Sequence, residues 1–199
     1  MARTRLVIAS GNAGKIAEFR QMLEPRGYEV VPQSDVGVDP PPETGATFVE
    51  NALIKARAAA EAAGGAALGD DSGLVVHALD GRPGIRSARF AGEDATDSEN
   101  IDRLLAELDG LPPERRGACF YCCLVLLQHA EDPAPLIATG RWDGKILQER
   151  RGDGGFGYDP VFHDRRMGAT AAELPAGEKN RVSHRGRALE QLIRQIDDL

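Results

Sequence analysis

The sequence predicts a mixed α/β fold, in which helices pack against a sheet with both parallel and antiparallel strands. A continuous apolar run, 5–9, has the character of a buried strand and leads through a glycine-bearing loop into a helical pattern over 16–23. Two long apolar segments, 117–128 and 136–142, flank a proline-bearing connection and predict an antiparallel hairpin. A buried first strand followed by a helix, together with a later hairpin, predicts a mixed sheet.

Two more helices are predicted by capping boxes, in which a threonine N-cap is followed three residues later by a glutamate. Thr47 and Glu50 begin an alanine-rich helix that we expect to end before the glycine pair at 64–65. Thr96 and Glu99 begin a helix with an apolar stripe.

Length and composition describe an ordinary globular protein. The 199 residues fit one domain, 1–199, with the alternative of two lobes that share a core, and 42% of them are hydrophobic. The net charge of −7 excludes a global positive field for nucleic acid. No apolar run reaches the length of a signal peptide core or a membrane span, so we expect a cytoplasmic protein without a membrane partner.

The three cysteines predict core positions rather than a metal site. Cys119 and Cys122 form a C-x-x-C pair next to Cys123, but no second ligand pair follows at zinc-site spacing. The segment around them is apolar, and free cysteine behaves there as a small hydrophobe. An odd number of cysteines fits a reducing compartment.

An acidic segment carries the strongest candidate for chemistry. Residues 69–73 read Gly-Asp-Asp-Ser-Gly between apolar stretches at 66–68 and 74–78. We expect the two carboxylates to lie in a tight bend between two strands, from which they could reach a metal ion or a water. The same residue types form ordinary turns, so the segment alone leaves both interpretations open.

Three other polar segments are ambiguous by themselves. The loop 10–15 could offer backbone N–H groups to a phosphate or be a plain turn, and it lacks the Walker A pattern. Glu43 follows three prolines that stiffen its loop. Asn51 and Lys55 share a helical face, and a polar pair on an alanine-rich helix is most often solvated.

The C-terminal third adds aromatic, glycine and basic residues. Four glycines within 152–157 surround Phe156, so this loop is either a binding segment on which a base could stack or a bend with core aromatics. Ser183 can cap an amphipathic helix, which leaves Lys179, His184 and Arg185 near its positive end. These cations suggest an anionic or electron-rich ligand or a solvated basic surface.

Taken together, these segments resemble the inosine triphosphate pyrophosphatase family across nearly the whole chain. The family hydrolyses non-standard purine nucleoside triphosphates such as ITP, dITP and XTP to the monophosphate and pyrophosphate. Each segment is weak alone, but five in the family's order are specific. The segments are Ser10 to Lys15, Glu43 to Ala52 with Lys55, Gly69 to Gly73, Gly155 to Pro160, and Glu178 to Arg185.

The resemblance implies a metal-assisted triphosphate site. Glu43 and Asp71 would bind magnesium, and Asp71 would also be the catalytic base for the attacking water. Lys55 would add positive charge, and Ser72 would touch the substrate. The triphosphate would be held by Ser10, Gly11, Asn12, Ala13, Gly14 and Lys15.

The resemblance also implies a purine pocket that donates hydrogen bonds to a 6-keto oxygen. The residues alone would have placed phosphate beside the basic C-terminal helix, and the resemblance assigns that cluster to the base instead. Tyr158 stands where some members carry tryptophan, which keeps an aromatic face. The pocket residues would be Phe156, Gly157, Tyr158, Asp159, Lys179, His184 and Arg185.

The fold implied by the resemblance is a mixed α/β structure with an elongated curved sheet, helices on two lobes and an active-site cleft between them. Family members are commonly homodimers, so a homodimer is the expected assembly.

Overall fold

The structure, a computed structural model, describes residues 3–198, and this range contains seven strands and five α-helices. Short 3-10 turns connect several of them. The strands are β1 (Thr4–Ala9), β2 (Tyr28–Pro32), β3 (Ala67–Val76), β4 (Gly117–Leu127), β5 (Leu136–Ile146), β6 (Phe162–Asp164) and β7 (Ala169–Thr170). The helices are α1 (Ala13–Leu23), α2 (Phe48–Ala63), α3 (Asp97–Glu107), α4 (Ala176–Val182) and α5 (His184–Asp197).

The strands form one seven-stranded sheet in the order β2-β1-β3-β4-β5-β6-β7. Strand β1 pairs in parallel with both β2 and β3, whereas β6 pairs antiparallel with β5 and β7. The predicted mixed α/β class is therefore confirmed. The two long apolar segments also became neighbouring strands, β4 and β5, as the hairpin pattern predicts.

The tight bend expected at the acidic segment is wrong. Strand β3 runs without interruption from Ala67 to Val76, and both Asp70 and Asp71 are buried within it. Neither Gly69 nor Gly73 has a positive φ, so neither glycine serves a turn. The strand can continue because its carboxylates have buried cationic partners.

The two glycines of the acidic strand are needed for close packing. A Cβ at Gly69 would lie 2.0 Å from the Ala52 carbonyl oxygen of α2. A Cβ at Gly73 would lie 2.3 Å from the Gly84 carbonyl oxygen. Backbone therefore approaches β3 at these positions more closely than any side chain permits, a recurrent use of glycine inside strands.

The first of two compact units comprises the residues up to Asp71, 122–140, and the segment from Arg185 onward. Apolar side chains of its strands pack there with those of α1 and α5. Its central core residues are Leu6, Ile8, Phe19, Leu23, Val30, Leu68, Leu124, Ala188, Leu189 and Leu192.

The second unit comprises 72–121 and 141–184. Its core is rich in aromatic rings and includes the apolar stripe of α3, as the helical periodicity predicts. The core residues include Leu74, Phe90, Ile101, Leu104, Leu108, Phe120, Trp142, Tyr158, Val161 and Phe162.

Local sequence signals placed most elements correctly. Thr47 and Thr96 are the N-caps of α2 and α3, and α3 has a complete capping box with Glu99. Helix α5 begins at His184, directly after Ser183, as predicted, whereas the short helix α4 before it was not predicted. No helix within 3–198 is long and apolar enough to cross a bilayer.

The three cysteines are free and buried, which confirms the core interpretation. Burial raises the pKa of Cys122 well above the value of an exposed thiol. Among the described residues, no group of three or more His, Cys, Asp or Glu side chains could hold a metal ion.

We predict that Gly69→Ala destabilises the protein by at least about 2 kcal/mol, because the methyl group would overlap backbone atoms of α2. Gly65→Ala is the matched control, since a Cβ there meets no atom within 4 Å. Urea unfolding of both variants measures the difference. Equal stability of the two variants would show that β3 and α2 are not in this close contact.

Candidate active site

Asp70 lies at the centre of a buried ion network in the first unit. Its Oδ2 accepts a hydrogen bond from Arg185 Nε over 2.9 Å and lies 3.5 Å from Lys15 Nζ. Arg185 Nη1 donates to Glu18, and the thiol of Cys122 donates to Asp70 Oδ1 over 3.6 Å. The network ties strand β3 to α1, α5 and β4.

The network fixes the charge of its members. Burial alone would raise the pKa of Asp70, but the charges of Arg185 and Lys15 outweigh it and hold that pKa well below its usual range. Burial lowers the pKa of Lys15, and the charge of Asp70 opposes this effect. Asp70 is 1% exposed. Its lowered pKa nevertheless keeps this buried carboxylate ionised at neutral pH.

Asp71 has different partners, as the alternation of a strand requires. Its Oδ1 accepts a hydrogen bond from Lys55 Nζ on α2 over 2.7 Å. Glu43 Oε1 accepts from the same ammonium over 2.8 Å, so two carboxylates converge on one cation. Burial raises the pKa of Asp71, and Lys55 opposes this effect. A carboxylate with a raised pKa is a stronger base.

Asn51 connects the loop after Glu43 to Asp71. Its Oδ1 accepts from the Gly45 backbone N–H over 2.8 Å, and its Nδ2 donates to Asp71 Oδ2 over 3.5 Å. Asn51 is fully buried and the Lys55 side chain is 11% exposed. The expectation that these two side chains of α2 are solvated is therefore wrong, because both contact Asp71 of the acidic strand.

The two carboxylates around Lys55 fit a hard divalent cation such as magnesium. Two carboxylate oxygens, from Glu43 and Asp71, already lie within 2.8 Å of one ammonium nitrogen, so they can share a cation. Magnesium prefers oxygen ligands and is commonly held by one or two carboxylates, with water and phosphate completing the octahedron. A two-carboxylate site matches that pattern, whereas protein zinc sites usually include cysteine or histidine ligands.

The glycine-bearing loop 10–15 follows β1 and forms the start of α1. Asn12 is the N-cap, and its Oδ1 accepts from the Lys15 backbone N–H over 3.0 Å. Ser10 Oγ accepts from the Asn12 N–H over 3.2 Å. The first N–H groups of a helix have no partner within the helix, and the helix dipole favours an anion there. Lys15 adds a cation to the same turn.

In the second unit, the glycine segment (Gly155–Asp159) carries the aromatic and acidic candidates. The buried Asp159 Oδ2 accepts from the Phe156 N–H over 2.9 Å and from Lys179 Nζ over 2.7 Å. Lys179 Nζ also lies 4.6 Å from the centre of the Phe156 ring. Three predicted pocket residues are thus in contact with one another.

Tyr158 connects the glycine segment to the 3-10 turn at Gly84–Arg89. Its hydroxyl donates to the Ser87 carbonyl over 2.8 Å, and Ser87 Oγ accepts from the Leu74 N–H over 2.8 Å. Burial, with a smaller contribution from Asp97, raises the pKa of Tyr158, which keeps the phenol protonated. The phenol therefore acts as a donor inside this unit.

His184 stacks within the aromatic core of the second unit. Its ring lies 4.8 Å from the Phe120 ring at an angle of 15°, and 6.5 Å from the Trp142 ring. His184 is 6% exposed. The stacking fixes the orientation of the imidazole at the first residue of α5.

Comparison with known proteins shows which family the chain resembles. The model of the Ham1 family matches residues 6–195. The chain belongs to the Ham1 family. The family expected from the five sequence segments is thereby confirmed.

Several relatives match this Ham1 family chain over nearly its whole length. The chain is 57% identical to the dITP/XTP pyrophosphatase of Halorhodospira halophila, over 96% of each chain. It is 55% identical to the dITP/XTP pyrophosphatase of Methylococcus capsulatus, over 98% of this chain and 96% of the relative. Among solved structures, a HAM1 protein from Coxiella burnetii is 46% identical with a TM-score of 0.90, covering 98% of this chain and all of that chain.

The Ham1 site residues predicted from sequence fall into two clusters, one in each unit. Lys15, Glu43, Lys55 and Asp71 belong to the first unit, and Phe156 to Asp159, Lys179 and His184 belong to the second. Arg185 lies in the first unit against Asp70 and Glu18. Ser72 is half-buried on β3. The substrate contacts of all these residues stay predictions.

Sequence reasoning missed residues whose partners are distant in the chain. Glu18 lies outside the five sequence segments, although it is 9% exposed and pairs with Arg185. Its spacing of three from Lys15 on one helical face was the available signal. Ser87 and Asp97 carried no local signal for contact with the glycine segment.

We predict that Asp70→Asn lowers the free energy of unfolding by about 3 kcal/mol or more at pH 7, because it removes an anion from two buried cations. The pKa of Asp70 is lower in the folded chain than in the unfolded chain, where it is about 4. The stability it contributes is therefore complete above about pH 4 and is lost as pH falls through the folded pKa.

Urea unfolding of wild type and Asp70→Asn at pH 7 and pH 3 measures this effect. We expect the difference between the two proteins to be smaller at pH 3. A difference that stays constant with pH would contradict the assignment of a charged, paired Asp70.

Proposed function

We propose that the protein is a nucleoside triphosphate pyrophosphatase that converts ITP, dITP and XTP to the monophosphate and pyrophosphate. The observation that carries this proposal is the convergence of Glu43 and Asp71 on Lys55, next to an acidic strand that also pairs with Lys15. Relatives at 55–57% identity are named dITP/XTP pyrophosphatases, which supports this reaction and two of the three substrates.

The phosphates would bind at the start of α1. Backbone N–H groups of residues 10–15 can donate to phosphate oxygens, and Lys15 and Lys55 neutralise part of their charge. The net charge of the chain is −7, so this local collection of cations has to overcome a repulsive background. The ion pair with Asp70 keeps Lys15 close to the loop.

Asp71 would accept a proton from the attacking water. Burial raises its pKa, which brings its basicity closer to the working pH, and Asn51 and Lys55 hold its two oxygens. We propose Glu43 and Asp71 as ligands of magnesium, which when bound would neutralise phosphate charge and orient the substrate. Positioning and electrostatics would then supply most of the acceleration.

A covalent intermediate is not part of this proposal. The cysteines are buried, and burial raises the pKa of Cys122, so its thiolate is scarce. Ser10 Oγ accepts from a backbone N–H and is not paired with a histidine in the described contacts. Hydrolysis by an activated water needs no such nucleophile.

The base would be recognised in the second unit by donors directed at a 6-keto oxygen. Lys179 donates to Asp159 and lies against the Phe156 ring, so one cation borders both a stacking face and an acceptor. We also propose His184 at this pocket. The contact of Arg185 with the base, which the resemblance implies, stays a prediction, since the described side chain pairs with Asp70 and Glu18 in the first unit. A site built from donors leaves groups unpaired against the 6-amino group of adenine, which discriminates strongly.

We propose a cytoplasmic, homodimeric enzyme. Three buried free cysteines support a reducing compartment. The homodimer rests on the resemblance to the family.

We predict that ITP with magnesium yields IMP and pyrophosphate, and that ITP, XTP and dITP are hydrolysed faster than GTP and ATP. Chromatography of the nucleotides with a colorimetric assay for pyrophosphate measures both. Formation of IDP and orthophosphate would indicate another phosphohydrolase. A preference for ATP would contradict the proposed pocket.

We predict that Asp71→Asn lowers kcat for ITP by at least about 100-fold while the nucleotide still binds, because the amide cannot accept the proton. Turnover assays and calorimetric titration with ITP separate the two effects. An unchanged rate would remove Asp71 from the mechanism. Binding without turnover in the wild type would indicate a nucleotide-binding module.

A further inference from the structure

Hydrogen bonds hold the glycine segment at three consecutive residues, one from within the segment and two from other parts of the second unit. Phe156 N–H donates to Asp159 within the segment, and the Tyr158 hydroxyl donates to Ser87. The third bond comes from α3, where Asp97 Oδ2 accepts the Gly157 N–H over 2.6 Å. Among the hydrogen bonds described for this segment, the third joins its backbone to a side chain of a distant helix.

The geometry of Gly157 makes this bond important for the direction of the segment. Gly157 has a φ of +60°, in the left-handed region that favours glycine. Its neighbours are Phe156, which faces Lys179, and Tyr158, which is buried. A tether at Gly157 therefore controls how Phe156 is presented.

Helix α3 is a rigid support for Asp97. Its capping box fixes the first turn, since Thr96 Oγ1 accepts from the Glu99 N–H and Glu99 Oε2 accepts from the Thr96 N–H over 2.7 Å. Ile101 and Leu104 anchor the helix in the aromatic core. The carboxylate lies in the first turn, where the helix dipole favours a negative charge.

Asp97 and the glycine segment also share a groove of about 440 Å³ in the second unit. The first turn of α3 forms one wall with Asp97, Ser98 and Ile101, and the other wall includes Phe156 and Gly157. The half-buried Phe156 thus lines the same groove as the residue that fixes the segment's backbone.

We propose that Asp97 is a positioning residue for purine recognition, which acts through Gly157 to hold Phe156 in place. The inference rests on the proposed function and extends it to a residue outside the five sequence segments. Asp97 does not touch the reacting phosphates in this account. Its loss should therefore weaken binding and leave the chemical step intact.

The test compares steady-state kinetics of Asp97→Ala, Asp97→Asn and Asp102→Ala with ITP and magnesium. Asp97→Ala removes a charge-assisted hydrogen bond that is partly exposed. We therefore expect its KM to rise about three- to tenfold, with kcat within about twofold of wild type. Asparagine keeps an acceptor oxygen, so the KM of Asp97→Asn should lie closer to the wild-type value. This partial rescue would not follow if Asp97 only stabilised the fold.

Asp102→Ala is the matched control on the same helix. Asp102 pairs with Arg150 at the surface, over 2.9 Å, and an exposed pair of this kind contributes little. We expect the KM of Asp102→Ala to stay within about twofold of the wild-type value, because exposed ion pairs contribute little. Thermal unfolding midpoints of all three variants should remain near that of wild type.

An unchanged KM in Asp97→Ala, or an equal rise in Asp102→Ala, would overturn the inference and leave the proposed function in place. If Asp97→Ala unfolds, Asp97→Asn carries the comparison, and equal loss of kcat and stability would overturn the positioning role. A wild-type protein that releases no pyrophosphate from ITP would overturn both proposals.

Discussion

The burial of Asp70 beside Arg185 and Lys15 is the interaction on which the rest of the first unit depends. A carboxylate inside a strand is costly unless cations compensate it, and here both cations come from helices that pack on the sheet. The pairing allows β3 to continue through the acidic segment. It also leaves Asp71, the next residue, to partners on α2.

Adjacent residues with unlike partners give the two sides of the strand different electrostatic properties. Asp70 is held as a permanent anion that organises α1 and α5, whereas burial raises the pKa of Asp71. Lys55 joins Asp71 to Glu43, which makes the α2 side of the strand suited to cations and phosphate. One side therefore supplies stability, and the other is where we propose the chemistry.

Features with local signals were predictable from the sequence, and features made by distant contacts were not. Capping boxes identified α2 and α3, and the order of five segments identified the family. Glycines at 69 and 73 suggested a turn, because nothing in the local sequence shows that backbone passes within reach of their Cα atoms. The contact between Asp97 and Gly157 joins residues sixty positions apart, so no local pattern contains it.

The most direct test of this division is a carbon-13 NMR titration of the side-chain carboxyls of Asp70 and Asp71. The ordinary pKa of an aspartate is about 4. We expect Asp71 to titrate above that value and Asp70 to remain ionised well below it. Two carboxyls that titrate together near the ordinary value, or in the reverse order, would contradict the assignment of structural and catalytic roles.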